Sequence, residues 1–195
     1  MKLSKPLTLA SKSVVRATIL TGAGLQFDVA PSGVDEDALK QKYQGDPAGL
    51  AIGLAEAKAS AVSVDGLVIG ADQLLLCDGR LFDKPASLDE ARQNLQFFRG
   101  KKHQLIGGVV VLENGQTLWQ HSESVTLSVR DFSDAFLDIY LAEAGEAVLA
   151  SVGCYQLEGL GAHLFDAIEG DYFSTLGLPL LPLLGALRQH GGLSQ

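Results

Sequence analysis

The chain has 195 residues, which at roughly 100–200 residues per domain is one domain or at most two small lobes. Apolar residues make up 47% and charged residues 19%, so neither a disordered chain nor a disulfide-stapled mini-protein describes it. The 15 Lys and Arg against 23 Asp and Glu give a net charge of −8, a field that repels nucleic acid and anionic membrane surfaces as bulk partners. A phosphate-bearing ligand would have to be met by a local cationic pocket.

The elements follow in chain order. Leu7-Thr8-Leu9-Ala10 reads as a first strand, followed by a helix that opens near Ser13 and closes at Gly22 to Gly24. Asp46-Pro47 is an N-cap with proline at the first helical position and starts a helix to about Ser60. Leu67 to Ala71 is a continuous apolar run, the pattern of a buried strand. Asp78-Gly79 turns the chain back through Arg80-Leu81-Phe82. Ser87 and Glu90 have capping-box spacing and open a helix ending near Gly100. Asn114-Gly115 between two β-rich segments is the strongest hairpin signal. A helix around Ser133 to Ala144 follows, then a strand through Ala147 to Val152 and a last helix starting near Thr175 to Gly177. No linker or repeat divides residues 1–195. The expectation is one α/β domain, a mixed sheet with helices packed on it.

Cys77 and Cys154 lie in apolar stretches without metal-ligand spacing and read as buried small hydrophobes, and the four His are scattered. Met1 to Ala10 holds no signal-peptide h-region, and Leu176 to Leu187, with Pro179 and Pro182, is too short for a membrane span. A cytoplasmic protein is expected.

Five places carry chemistry that packing does not ask for. Asp72 is the only charge between Leu67 and Cys77 and sits where the apolar run ends. It is either a turn-capping Asp or a base or metal ligand, because a buried carboxylate needs a partner. Lys58 continues the i, i+3, i+4, i+7 face of Ala51, Leu54 and Ala55, as a snorkelling end or a functional cation. Lys84 is held extended by Pro85 and is either a solvated turn lysine or a cation brought near Asp72 by the turn between them. Ser11, Lys12, Ser13 and Arg16 place donors and positive charge at a strand-to-helix turn. Glu158 is a lone carboxylate in the glycine-rich stretch Gly153 to Ala162.

Taken in order, these segments resemble the Maf family of nucleoside triphosphate pyrophosphatases along nearly the whole chain. The likeness rests on Leu9 to Ser13 with Arg16, on Val34-Asp35-Glu36, on Val68 to Asp72 with Lys84-Pro85, and on Glu158-Gly159-Leu160-Gly161. Ile168 to Tyr172 and Gly177 to Leu180 add to it. Where the family commonly reads Ser-Pro-Arg-Arg, this chain has Val14-Val15-Arg16, lacking the proline and one cation.

The resemblance implies an inosine triphosphate pyrophosphatase-like fold: an elongated mixed sheet with flanking helices and two lobes around a cleft. It implies hydrolysis of a nucleoside triphosphate to the monophosphate and pyrophosphate, and a homodimer. Asp72 falls on the general base, Ser11, Arg16, Lys58 and Lys84 on phosphate-binding positions, and Glu36 with Asp72 on metal-holding positions. Oxygen ligands suit Mg²⁺ or Mn²⁺ better than zinc. Base selection falls on Val15, Gln73 and Glu158; relatives that prefer dTTP and UTP carry Arg, Thr and Gln there, and this chain looks more like those acting on 7-methyl-GTP. A dTTP/UTP pyrophosphatase and a weakly active nucleotide-binding regulator of cell division are the other readings. A Rossmann oxidoreductase is excluded, because no GxGxxG follows the first strand.

Overall fold

The computed structural model describes residues 3–190 and residue 193. In chain order the elements are β1 (Leu7–Leu9), α1 (Val14–Gly22), β2 (Asp28–Val29), α2 (Glu36–Lys42), α3 (Pro47–Ser60), β3 (Leu67–Cys77), β4 (Arg80–Phe82) and α4 (Leu88–Phe98). They continue with β5 (Lys102–Glu113), β6 (Gln116–Val129), α5 (Asp134–Ala144), β7 (Phe165–Glu169), α6 (Tyr172–Thr175) and α7 (Leu180–His190). The seven strands of the described residues form one mixed sheet of order β2-β1-β3-β5-β6-β7, with β4 pairing β3. β1 runs parallel to β2 and β3, whereas the β3–β4 and β6–β7 pairs are antiparallel.

Two compact units divide the chain. The first holds the residues up to Gln73, Ile106–Glu123 and the chain from Asp171 on. β1, the first-unit part of β3 and Ile106–Leu112 of β5 are buried on both faces, which explains their unbroken apolar runs. Leu67, Ile69, Val109 and Val111 share a core with residues of α1 and α7. The alternate residues Val68, Val110 and Leu112 pack with Ala55 and Ala59 of α3. The period-two alternation of a strand thus sends Gly70 and Asp72 to the α3 face.

The second unit, Leu74–Leu105 with Ser124–Gly170, has its own core. Leu75, Phe82, Leu95, Phe98, Val125, Leu127, Leu137 and Tyr140 are all buried there. His103 lies inside an aromatic box, its Nε2 2.8 Å from the Tyr155 hydroxyl and its Nδ1 without a hydrogen-bond partner among the described residues.

Both expected caps, Asp46 and Ser87, are present, and Ser13 and Ser133 cap their helices in the same way. Ser13, Asp46, Ser87 and Ser133 each accept from the backbone N–H three residues on. Asp78-Gly79 and Asn114-Gly115 both take positive φ, as a tight hairpin turn requires.

Three expectations are corrected. The buried strand does not end at Ala71 but runs on to Cys77, because Asp72 finds a cationic partner and the apolar pattern resumes at Leu74. Residues 147–152 do not form a strand. Gly145–Ala150 is a 3₁₀ segment that buries Val148 in the core of the second unit, and β7 supplies the strand at Phe165–Glu169. The C-terminal helix begins at Leu180 rather than near Thr175 to Gly177, because Gly177 takes φ +97° and ends the one-turn α6.

Candidate active site

The site in the first unit is built by a close helix-to-strand contact. A Cβ on Gly70 would stand 2.0 Å from the carbonyl oxygen of Ala55, and one on Gly108 2.3 Å from the carbonyl carbon of Ala51. Only glycine lets α3 approach β3 and β5 this closely. One helical turn beyond Ala55 comes Lys58, and two residues beyond Gly70 on the same strand face comes Asp72. The small-residue contact thereby sets the lysine over the carboxylate.

Lys58 Nζ is 2.5 Å from Asp72 Oδ1 and 2.8 Å from Glu36 Oε1. Lys58 and Asp72 are 8% and 6% exposed, so the lysine is neither a snorkelling end nor the aspartate a turn cap. Glu36 opens α2, where Asp35 caps the helix by accepting from Ala38 N. Asp72 Oδ2 accepts no hydrogen bond from the described residues and is the oxygen left for a ligand.

Arg16 is buried in α1 and mostly committed to the scaffold. Its Nε donates to Gly177 O (2.9 Å), and Nη1 donates to Ala71 O (2.8 Å) and Ser11 Oγ (3.2 Å). Of its five N–H groups, the two on Nη2 have no partner among the described residues. Burial pulls the guanidinium below its usual pKa, while Asp72 and then Glu36 pull it back up. Ser11 Oγ accepts from Arg16 and from Ser13 N (3.2 Å), which leaves its own proton to donate. This serine hydroxyl and the Nη2 edge are donors of the kind that meet phosphate oxygens.

Gln73 follows Asp72 and donates through Nε2 to Ser174 O (2.9 Å) and Thr175 O (3.3 Å). Val15 is half-buried against the core of the first unit, and Lys12 is exposed. The structure thus brings Ser11, Arg16, Glu36, Lys58, Asp72 and Gln73 into one unit. Lys84 and Glu158 belong to the second unit and are exposed in it, the first in the loop after β4 and the second in a turn. Glu158 is therefore met by solvent rather than by a buried partner, despite its apolar sequence surroundings. Gly177, Ser174 and Glu123, which meet Arg16 and Gln73 directly or in relay, carry no local sequence signal for these contacts beyond the glycine itself.

No group of three His, Cys, Asp or Glu able to hold a metal alone occurs among the described residues. The donors present are two carboxylates, Asp72 and Glu36, gathered on one ammonium. That set fits Mg²⁺, which commonly takes one or two carboxylates and completes its shell with water and substrate phosphates.

A buried carboxylate with one open oxygen, beside donors of the kind that bind phosphate, defines an α/β protein built for an anionic, phosphate-bearing ligand. The chain belongs to the Maf family: the family model described as Maf-like protein matches residues 6–190. A relative from Caulobacter vibrioides, named nucleoside triphosphate pyrophosphatase, is 54% identical over 97% of this chain and 98% of its own length. One of the same name from Granulibacter bethesdensis is 50% identical over 96% and 98%. A relative from Rhizobium meliloti named 7-methyl-GTP pyrophosphatase is 44% identical over 97% and 98%. No helix of the described residues is long and apolar enough to cross a membrane.

Proposed function

We propose that the chain hydrolyses a nucleoside triphosphate to the monophosphate and pyrophosphate, with Asp72 as general base. The observation that carries this reading is the open Oδ2 of a buried, lysine-paired aspartate in a chain half identical to nucleoside triphosphate pyrophosphatases. Asp72 Oδ2 takes a proton from water as its oxygen attacks the α-phosphorus. The bond from that phosphorus to the α,β-bridging oxygen breaks, and pyrophosphate leaves. Ser11 Oγ–H and the free Arg16 N–H groups hold phosphate oxygens, and Lys58 keeps the Asp72 carboxylate oriented through Oδ1. Asp72 and Glu36 would hold Mg²⁺ or Mn²⁺, which offsets the charge of the phosphate chain when bound. Pyrophosphate release from a panel of nucleoside triphosphates with Mg²⁺ tests the reading; nucleotide binding with no release favours the regulator instead.

For the base, we propose 7-methyl-GTP over dTTP and UTP. Gln73 offers an oxygen acceptor, which suits the N–H groups of guanine, and Glu158 supplies a carboxylate to a base that N7-methylation makes cationic. The Rhizobium meliloti relative supports this direction by its name. Replacing Glu158 by Gln, and Lys84 by Ala for its proposed phosphate contact, should lower kcat/KM for 7-methyl-GTP. A wild-type preference for dTTP or UTP would sink the assignment.

A further inference from the structure

We propose that Glu123 and Ser174 are positioning residues for base selection, holding Gln73 so that it presents an acceptor rather than a donor. The inference rests on the functional reading above, in which the residue after Asp72 meets the base.

A glutamine amide shows a ligand either N–H donors or a carbonyl oxygen, and the bonds at its other end decide which. Here the atom facing Ser174 O and Thr175 O has to be the nitrogen, because a carbonyl oxygen only accepts. Nε2 is committed to these two carbonyls. Oε1 receives no hydrogen bond from the described residues and is the atom left for a ligand.

The two carbonyls belong to α6, a single turn of four residues that is far too short to persist by itself. Asp171 holds the turn locally, accepting from Ser174 N at 2.9 Å, and its own carbonyl accepts from Thr175 Oγ1 at 2.9 Å. Phe173 and Leu176 pack against the core of the first unit, and the hydrogen-bonded tie to β6 is Ser174 Oγ, which donates to Glu123 Oε2 at 2.7 Å, 51 residues away. Asp171 Oδ1 is a longer alternative acceptor at 3.2 Å, and His121 Nε2 stands 3.8 Å from the same Glu123 oxygen. Ser174 and Thr175 are 4% and 5% exposed, so the turn's end of this relay is shielded from water, while the Glu123 side chain is 32% exposed. Loss of the Glu123 acceptor frees the turn, and Gln73 can then rotate to offer either end. Selection among bases falls, while Asp72, Lys58 and Arg16 keep their own contacts.

The test compares kcat and KM for 7-methyl-GTP, GTP, dTTP and UTP in wild type, Gln73→Met, Glu123→Met, Glu123→Gln and Ser174→Ala, with unfolding curves confirming that each variant is folded. The expected result is that Glu123→Met and Ser174→Ala move the ratios of kcat/KM between nucleotides in the direction of Gln73→Met. The shift should be about three- to tenfold, the weight of one hydrogen bond, and should fall on KM more than on kcat. Glu123→Gln keeps an acceptor for Ser174 and should restore the wild-type ratios. Adding Glu123→Met to Gln73→Met should give no further shift, because Glu123 acts only through the Gln73 amide. Ratios unchanged in Glu123→Met and Ser174→Ala, or an equal loss on all four nucleotides, would overturn the inference while leaving the pyrophosphatase reading intact. Absence of pyrophosphate release by the wild type from every nucleotide would overturn that reading first and this inference with it.

Discussion

The ammonium of Lys58 lies 2.5 Å from Asp72 Oδ1, and both residues are buried, 8% and 6% exposed. The same ammonium is 2.8 Å from Glu36, so one cation from α3 holds carboxylates from β3 and α2. Taking such charges out of water is costly, and the fold accepts the cost where a carboxylate must be fixed with one oxygen open.

Removing the cation should therefore be expensive. Lys58→Met leaves Asp72 buried without its partner, a change that typically costs about 3–5 kcal/mol. Urea unfolding of wild type and variant measures it. The double variant Lys58→Met with Asp72→Leu should recover part of the loss, since no unpaired buried charge remains. A single variant as stable as wild type would mean that water reaches the carboxylate freely.

The geometry behind the pair makes a separate prediction. Gly70→Ala drives a Cβ to 2.0 Å from the Ala55 carbonyl oxygen, so α3 has to move off the strand. Overpacking of this kind costs about 1–3 kcal/mol, and here it also shifts Lys58 away from Asp72. Stability and kcat should fall together. A folded Gly70→Ala protein with wild-type kcat would show that the close approach does not set the site.

Much of this is legible in the sequence, and for a physical reason. Helix caps at Asp46 and Ser87 and the turns at Asp78-Gly79 and Asn114-Gly115 act over three or four residues, so local chemistry announces them. Asp72 and Lys58 stood out because each breaks an apolar pattern. The extension of β3 beyond Ala71 was hidden, since it depends on a lysine 14 residues earlier paying the charge of Asp72. The Gly177 carbonyl that anchors Arg16 is 161 residues away, and the Glu123 carboxylate that anchors Ser174 is 51 residues away. No periodicity encodes partners at such distances. The run at Ala147 to Val152 misled because one buried valine on a 3₁₀ turn leaves the same apolar signature as a short strand.

Acid stability should carry the mark of His103. Burial lowers its pKa from 6.5 to about 4, so the folded protein holds it neutral while the unfolded chain protonates it near 6.5. The stabilisation is present above 6.5, is lost progressively as pH falls towards about 4, and changes no further below that. The shift corresponds to roughly 3 kcal/mol over this window. His103→Phe should flatten the pH dependence of unfolding between those limits. An unchanged slope in the variant would place the titration elsewhere.

The proton transfer proposed for Asp72 in pyrophosphate release is read most directly from kcat of Asp72→Asn with Mg²⁺ and 7-methyl-GTP or whichever panel nucleotide the wild type turns over best. The amide keeps the shape and can accept from Lys58 through its oxygen, but it cannot take a proton from water. Loss of a general base typically costs ~10²–10⁴-fold, and the account predicts a fall of that size in a protein that remains folded. Turnover by folded Asp72→Asn within about tenfold of wild type, well short of that range, would contradict it.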